Sequence, residues 1–417
     1  METVKINDNI TLCYIPMQKL KTTHIGVYIH RPLCEGEVSK NALLPYVLKR
    51  GCRLCPDSEA TSKHLENLYG ATFGASVMKM GDDQIIYMGF ETISDRYAAN
   101  GEKLSADLVK LIMSVMFEPT GFTDEITAQE KQNSTDRILA EINDKRVYAQ
   151  KRCCALMCEG SAFALGALGT KEGIEEITTA DLKAHYENII TSSPIDIYVC
   201  GDADVNAIAD EIKSYTEKLS FNQTALPKSE LFAREGEIKR VTDHMEVTQG
   251  KLCLGMRTNI APDSDDYIAL MVTNSVFGGG AHSKLFNNVR EKLSLCYYAS
   301  SSLVRSKGIM FVNAGIEFEN FEKAYDEILA QLEAVKNGDI SDFEYQSSIA
   351  FLVNQLESYK DDERLMQYFA LQQKLSGTNA DIDTLKEKIS RVTVEDIKRT
   401  ARSIELDTVY FLAGKEE

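Results

Sequence analysis

The chain has no excess of basic residues: Lys and Arg number 46 against 63 Asp and Glu, a net charge of −17 over 417 residues. A nucleic-acid protein needs a basic face for the phosphates, so that class of partner is excluded. A long apolar run is missing too. The longest, Leu108 to Phe117, is broken by Lys110 and Ser114, and a membrane-spanning helix needs about 18 uninterrupted apolar residues. No charged leader with an apolar stretch behind it opens the chain, where Met1-Glu2-Thr3-Val4-Lys5 runs straight into an alternating, strand-like segment. Histidine is scarce. The six (His24, His30, His64, His185, His244 and His282) include no two that are four apart. Both helical zinc-peptidase patterns, H-E-x-x-H and H-x-x-E-H, set two imidazoles on one helical face with a Glu as base, and neither occurs. A G-x-S-x-G nucleophile elbow and a Walker A sequence are also absent. Gly278-Gly279-Gly280 is not followed by Gly-Lys-Ser/Thr and reads as a tight turn entering a helix.

What is there is an ordinary globular composition, 44% apolar and 26% charged, with material for a sizeable core. Ten cysteines lie along the chain without framework spacing. They read as reduced, buried thiols in a cytoplasmic protein. Cys52-Arg53-Leu54-Cys55 is a C-x-x-C, and Cys153, Cys154 and Cys158 could complete a thiolate site by count. The second group has helix-core spacing, however, so a structural zinc is the weaker reading.

The chain repeats itself. Ile177-Thr178-Thr179-Ala180-Asp181-Leu182 precedes a helical stretch and the strand-like Ile195–Gly201; Val392-Thr393-Val394-Glu395-Asp396-Ile397 precedes a helical stretch and Thr408–Gly414. The offset is 215 residues from Thr178 to Thr393. Phe122-Thr123-Asp124-Glu125 and Ile340-Ser341-Asp342-Phe343 open long helical patterns at nearly the same offset. Thr, Ser and Asp at such openings are helix N-caps. These matches predict a duplicated α+β chain: homologous halves over 1–218 and 238–417, joined by a polar linker over 219–237 that contains Pro227. Each half is expected to be a mostly antiparallel sheet with helices on one face. By analogy with other two-domain proteins the halves form a clamshell.

Several segments resemble the insulinase/pitrilysin-type zinc metallopeptidases. They are Leu43–Gly51 with Leu65–Ala71, Glu141–Ala149, and Gly278–Phe286 leading into Arg290–Tyr298, in the family's order over most of the chain. The chain is most similar to the non-catalytic members of the bacterial insulinase-like proteins named for elongation factor P 5-aminopentanol modification. Counting back from Gly51, the resemblance places the family's first zinc His at Ala42, its catalytic Glu at Pro45 and its second zinc His at Tyr46. All three are lost. Pro45 also predicts a local helix that starts later than in the family. The family's distal zinc-ligating Glu falls on Glu141, and one carboxylate cannot hold a catalytic zinc that takes three protein ligands. Glu141 therefore reads as an ion-paired or exposed helix carboxylate.

The family's substrate-gripping Arg and Tyr, seven residues apart, match Arg290 and Tyr297. A guanidinium and a phenol are donors suited to a peptide carbonyl or a developing oxyanion, so the two are expected to converge on one such oxygen. The resemblance thus implies a pseudo-peptidase without a cofactor of its own. It would bind peptide or unfolded polypeptide and complete the active site of a zinc-bearing homologous partner, zinc being expected only in that partner. The alternative is a non-enzymatic peptide- or protein-binding scaffold of the same fold, whose acidic surface would favour basic segments.

Overall fold

The computed structural model describes residues 1–415 except 218, 223 and 233–235. Parts of the expected 219–237 linker, and the last residues of both expected halves, lie outside the described residues. Among the described residues of that linker there is neither helix nor strand.

The first sheet takes β1 (Glu2–Lys5), β2 (Ile10–Pro16), β3 (Thr22–Pro32), β4 (Thr72–Met80), β5 (Asp83–Ile93) and β6 (Ile195–Gly201), in the order β1-β2-β6-β3-β5-β4. The second takes β7 (Lys239–Met245), β8 (Gly250–Arg257), β9 (Cys296–Val304), β10 (Ile309–Ile316) and β11 (Glu405–Gly414), in the order β7-β11-β8-β10-β9. Each sheet has a single parallel pair, β2 with β6 and β7 with β11, and its other pairs are antiparallel. With β1 set aside, the two orders superimpose strand for strand. The duplication is therefore one of topology, and the fold is α+β with mostly antiparallel sheets.

The repeated sequence pieces occupy equivalent places. Thr178 caps α7 (Thr179–Ser192), its hydroxyl accepting from the Asp181 amide at 3.1 Å, and β6 follows. Thr393 caps α14 (Val394–Arg402) in a reciprocal box with Asp396, and β11 follows. Side-chain acceptors here satisfy amides that the helix itself leaves unpaired. Ser341 does the same for α11 (Asp342–Ser358), and Thr123 for α4 (Asp124–Asn143).

Each sheet is covered on both faces. Along β3, Ile25, Val27 and Ile29 point to one side and pack with α1 (Glu35–Leu48), α3 (Leu104–Phe117), α7 and α8 (Val205–Thr216). Alternation sends His24, Gly26, Tyr28 and His30 to the other side. There Gln367, on α12 (Glu363–Leu375), accepts from Tyr28 Oη at 3.2 Å and donates to the His24 carbonyl at 2.9 Å. A Cβ at Gly26 would stand 2.3 Å from Gln367 Oε1, so glycine is what lets the helix lie this close.

The second sheet repeats the device. Cys253, Ile309, Phe311, Tyr410 and Leu412 pack against Ala149, Cys153 and Met157 of α5 (Lys145–Met157), and a Cβ at Gly255 would meet Met157 Sδ at 2.8 Å. Helices on one face alone, as expected from sequence, are thus joined by a single helix on the opposite face. That helix comes from the other half of the chain. The compact units are residues 1–139, 165–228 and 359–371, and residues 140–164, 229–358 and 372–417. The remaining helices are α2 (Ser58–Asn67) and α6 (Lys171–Glu175) in the first unit. In the second they are α9 (Tyr267–Gly278), α10 (Phe321–Asn337) and α13 (Ile382–Ser390).

Candidate functional site

Two places carry the expected site residues, one in each unit. In the first, α1 runs unbroken from Glu35 to Leu48 with Pro45 inside it, so the helix does not start later as expected. Proline removes one helical hydrogen bond and costs about 3 kcal/mol in a helix interior. Leu43, Leu44, Val47 and Leu48 around it are all buried in the core. Each such side chain contributes roughly 1.5–3 kcal/mol, which outweighs the loss.

Ala42 faces the packed interior, 2% exposed and without a donor atom. Tyr46 is half-buried beneath the Arg137 guanidinium, whose Cζ lies 3.6 Å from the ring centroid. Arg137, on α4, also stands beside the buried carboxylate of Glu130, which accepts from Arg50 Nε at 2.6 Å. This place holds a guanidinium stacked on a phenol ring where a metal centre would need convergent lone pairs. The residues do not fit a zinc ion. Glu141 stands near the end of α4 as the ion-pair partner of Lys151.

Sequence reasoning missed Arg137, Glu130 and the hydrogen-bonded chain in which half-buried His185 and buried Gln84 meet Asn41 of α1. His185 Nε2 lies 2.8 Å from Asn41 Oδ1, and Asn41 Nδ2 donates to Gln84 Oε1 at 2.9 Å. Helical spacing does put Glu130 and Arg137 on one face of α4, but their aromatic and basic partners lie on another element.

The second place is the entry to β9. Arg290 sits on a π-helix, Leu285–Lys292, and Tyr297 lies on the edge strand it feeds. Gly315 pairs with Tyr298 and Ile316 with Cys296, so Tyr297 is the extra residue of a β-bulge. Bulges re-aim a side chain, and Tyr297 is 60% exposed. Its carbonyl accepts from Arg290 Nε at 2.8 Å. The guanidinium also stacks on Phe286, with Cζ 4.6 Å from the ring centroid, and pairs through Nη1 with Glu291 at 3.0 Å. The Tyr297 hydroxyl donates to Glu317, and that bond holds the phenol pKa above its ordinary value. The structure brings the two residues together, but their donors serve different acceptors rather than one point. An open cavity of about 1290 Å³ adjoins Tyr297, lined also by Glu317, Lys145, Lys251 and Lys415 among others. Burial, and then the nearby Arg146 charge, pull the Lys251 pKa down.

None of the ten cysteines forms a disulfide. Cys52 and Cys55 bond to each other through main chain, Cys52 N to Cys55 O at 2.7 Å, and burial pushes the Cys55 thiol up to about 11. Among the described residues no group of His, Cys, Asp and Glu is arranged to hold a metal. No helix among them is long and apolar enough to cross a membrane.

Comparison with known proteins agrees with this geometry. The family model described as "Peptidase M16 inactive domain" matches residues 176–352. The chain is 34% identical over 411 residues to the "Probable inactive metalloprotease YmfF" of Bacillus subtilis, covering 98% of this chain and 96% of that one. A conserved protein of Enterococcus faecalis, solved by crystallography, superimposes with a TM-score of 0.92 at 28% identity, over 100% of this chain and 99% of that one. The M16 inactive domain of Pseudomonas fluorescens gives a TM-score of 0.82 at 19% identity, covering 100% and 98%, and that likeness is one of fold. With Ala42, Pro45 and Tyr46 at the three motif positions, the chain belongs to the M16, insulinase-type metallopeptidase family as a non-catalytic member.

Proposed function

We propose that this chain binds peptide or unfolded polypeptide and completes the active site of a zinc-bearing homologue, working in the cytoplasm as the non-catalytic member of the pair. The observation that carries the reading is an asymmetry between the two places. The metal-binding helix has lost every donor and is sealed by Arg137, whereas Arg290 and Tyr297 persist, with the Tyr297 ring presented by a bulge. In this reading Arg290 Nη2, which has no protein acceptor among the described residues, and the Tyr297 hydroxyl donate to a substrate carbonyl. Glu317 holds that hydroxyl in the resting chain, and substrate takes over the bond. Peptide hydrolysis then proceeds at the partner's zinc, with no metal bound by this chain.

Reconstitution with a zinc-bearing homologue tests the reading. Tyr297→Phe and Arg290→Ala should each lower turnover by about 10²–10³-fold, the scale of losing one oxyanion donor, without changing the partner's zinc content. The chain alone should hold no stoichiometric zinc after dialysis and cleave nothing in a peptide-library digest. One tightly held zinc with chelator-sensitive cleavage would overturn the reading. A scaffold that holds peptide without helping to cleave it is the second reading, favoured by the local engagement of both donors. Wild-type turnover in both variants would select it.

A further inference from the structure

In the second unit, the turn between β9 and β10 holds a half-buried cation that meets no carboxylate among the described residues. Arg305 opens this turn, Arg305–Lys307. Its Nη2 donates to Thr378 Oγ1 at 3.1 Å and, more loosely, to Gln373 Oε1 at 3.4 Å, both neutral acceptors. Its Cζ stacks 5.0 Å from the Tyr267 ring centroid. Nε is buried with no acceptor, and among the described residues neither Nη1 nor any other atom of the guanidinium meets a carboxylate. Burial holds its pKa below the usual arginine range. The more deeply buried Arg31 and Lys284 each have a carboxylate: Arg31 Nη2 lies 2.6 Å from Glu37 and Lys284 Nζ 3.1 Å from Glu344. A desolvated charge without a partner is expensive. Arg305, half-buried with its Nε closed off and unsatisfied, has no such partner, and a counter-ion from outside the chain would supply one.

Space for one exists. Arg305, Thr378, Gln373 and Tyr267 line a cavity of about 490 Å³, with Lys388 and Arg391 also on its wall. The first turn of α9 borders the cavity, and no side chain caps that turn. Asp266, at the N-cap position, is taken by Arg399 instead, at 2.7 Å. The exposed Asp263 and Asp265 also border the cavity and disfavour an extended polyanion. We propose that this cavity binds a compact oxyanion, a phosphate or a carboxylate group, seated on Arg305. The planar guanidinium matches both groups, and an adjoining helix N-terminus favours negative charge. The inference is independent of the peptide-binding reading, since none of these residues belongs to the Arg290–Tyr297 place.

Thermal unfolding of the full chain in sodium phosphate, sodium acetate and sodium chloride, at matched pH and ionic strength, tests it. The midpoint should rise saturably in phosphate or in acetate relative to chloride, and the anion that raises it identifies the group. Arg305→Gln should abolish that rise while leaving the chloride midpoint at or above wild type, because it removes an uncompensated cation. Arg305→Lys keeps the charge without the planar fork and should show a reduced rise, which covers the case in which Arg305→Gln fails to fold. A saturable broadening of the phosphorus resonance of inorganic phosphate by the wild-type chain, weakened with Arg305→Lys, would support the phosphate form directly. Equal midpoints in all three salts, or the same rise in wild type and both variants, would overturn the proposal.

Discussion

In the first unit His24 is buried and His185 half-buried as neutral imidazoles, and burial pulls the pKa of each down to about 4. Their unfolded values are near 6.5. A histidine depressed in this way stabilises the fold fully above about pH 6.5, and the contribution is lost as pH falls toward about 4, because only the unfolded chain takes up the proton. His30 behaves oppositely. Burial pushes its pKa down, but the hydrogen bond to Asp196 and the nearby Asp83 carboxylate outweigh burial and leave it raised. Its contribution is full below pH 6.5 and fades only on the alkaline side, so it does not mask the acid loss. Urea-unfolding stability should therefore fall between pH 6.5 and 4 with a slope approaching about 1.4 kcal/mol per pH unit for each of His24 and His185. The double variant His24→Asn, His185→Asn should flatten that slope; an unchanged slope would count against buried neutral imidazoles. A second test concerns Arg137→Ala, which should cost about 1 kcal/mol through the lost stack on Tyr46. The residue scale is also where the sequence speaks most clearly. Ala42 and Pro45 cannot ligate zinc in any fold, whereas the Arg137–Tyr46 contact joins two distant elements and has no local signature.

At the scale of elements, the caps were legible and the irregularities were not. Thr178, Thr393 and Ser341 bond amides within three residues of themselves, so short sequence windows contain the whole interaction. The bulge at Tyr297 depends on the register of β9 against β10, which no single strand specifies. Gly315 shows what holds it. A Cβ there would stand 2.4 Å from the Tyr298 ring and 2.9 Å from Gln249 Oε1, so the ring beside the bulge occupies the space that a side chain would need. Gly315→Ala should destabilise the chain by about 1–3 kcal/mol, as overpacking does. In the reconstituted pair it should also lower turnover while leaving the partner's zinc in place. A fully active Gly315→Ala would show that the position of Tyr297 does not depend on this packing.

For the whole molecule, the exchange of helices has a direct consequence. Residues 1–218 alone lack 359–371, and 238–417 alone lack 140–164, so each fragment misses the helix that covers one face of its sheet. That face carries large buried aromatic rings in both cases, Tyr28 and Tyr198 in the first sheet and Phe311 and Tyr410 in the second. Each fragment expressed alone should bind a hydrophobic dye and show weak amide protection over its central strands. The intact chain should not. Independent, cooperative unfolding of both fragments would contradict the exchange. The duplication was legible because the repeated caps and strands recur in order. The exchange was not, because α5 and α12 follow similar helices in both halves and nothing local says which sheet they cover.

By itself, the sequence determined the α+β class, the duplication and the loss of the zinc motif. Capping chemistry, strand alternation and the donor atoms of a side chain are properties of a residue and its near neighbours. Only the tertiary structure decided that α1 continues through Pro45, that Arg137 seals Tyr46, that a bulge presents Tyr297 beside Glu317, and that Arg305 is half-buried without a carboxylate. Each of those depends on strand register or on packing between elements far apart in the chain, where burial and the choice of partner are set by the assembled core.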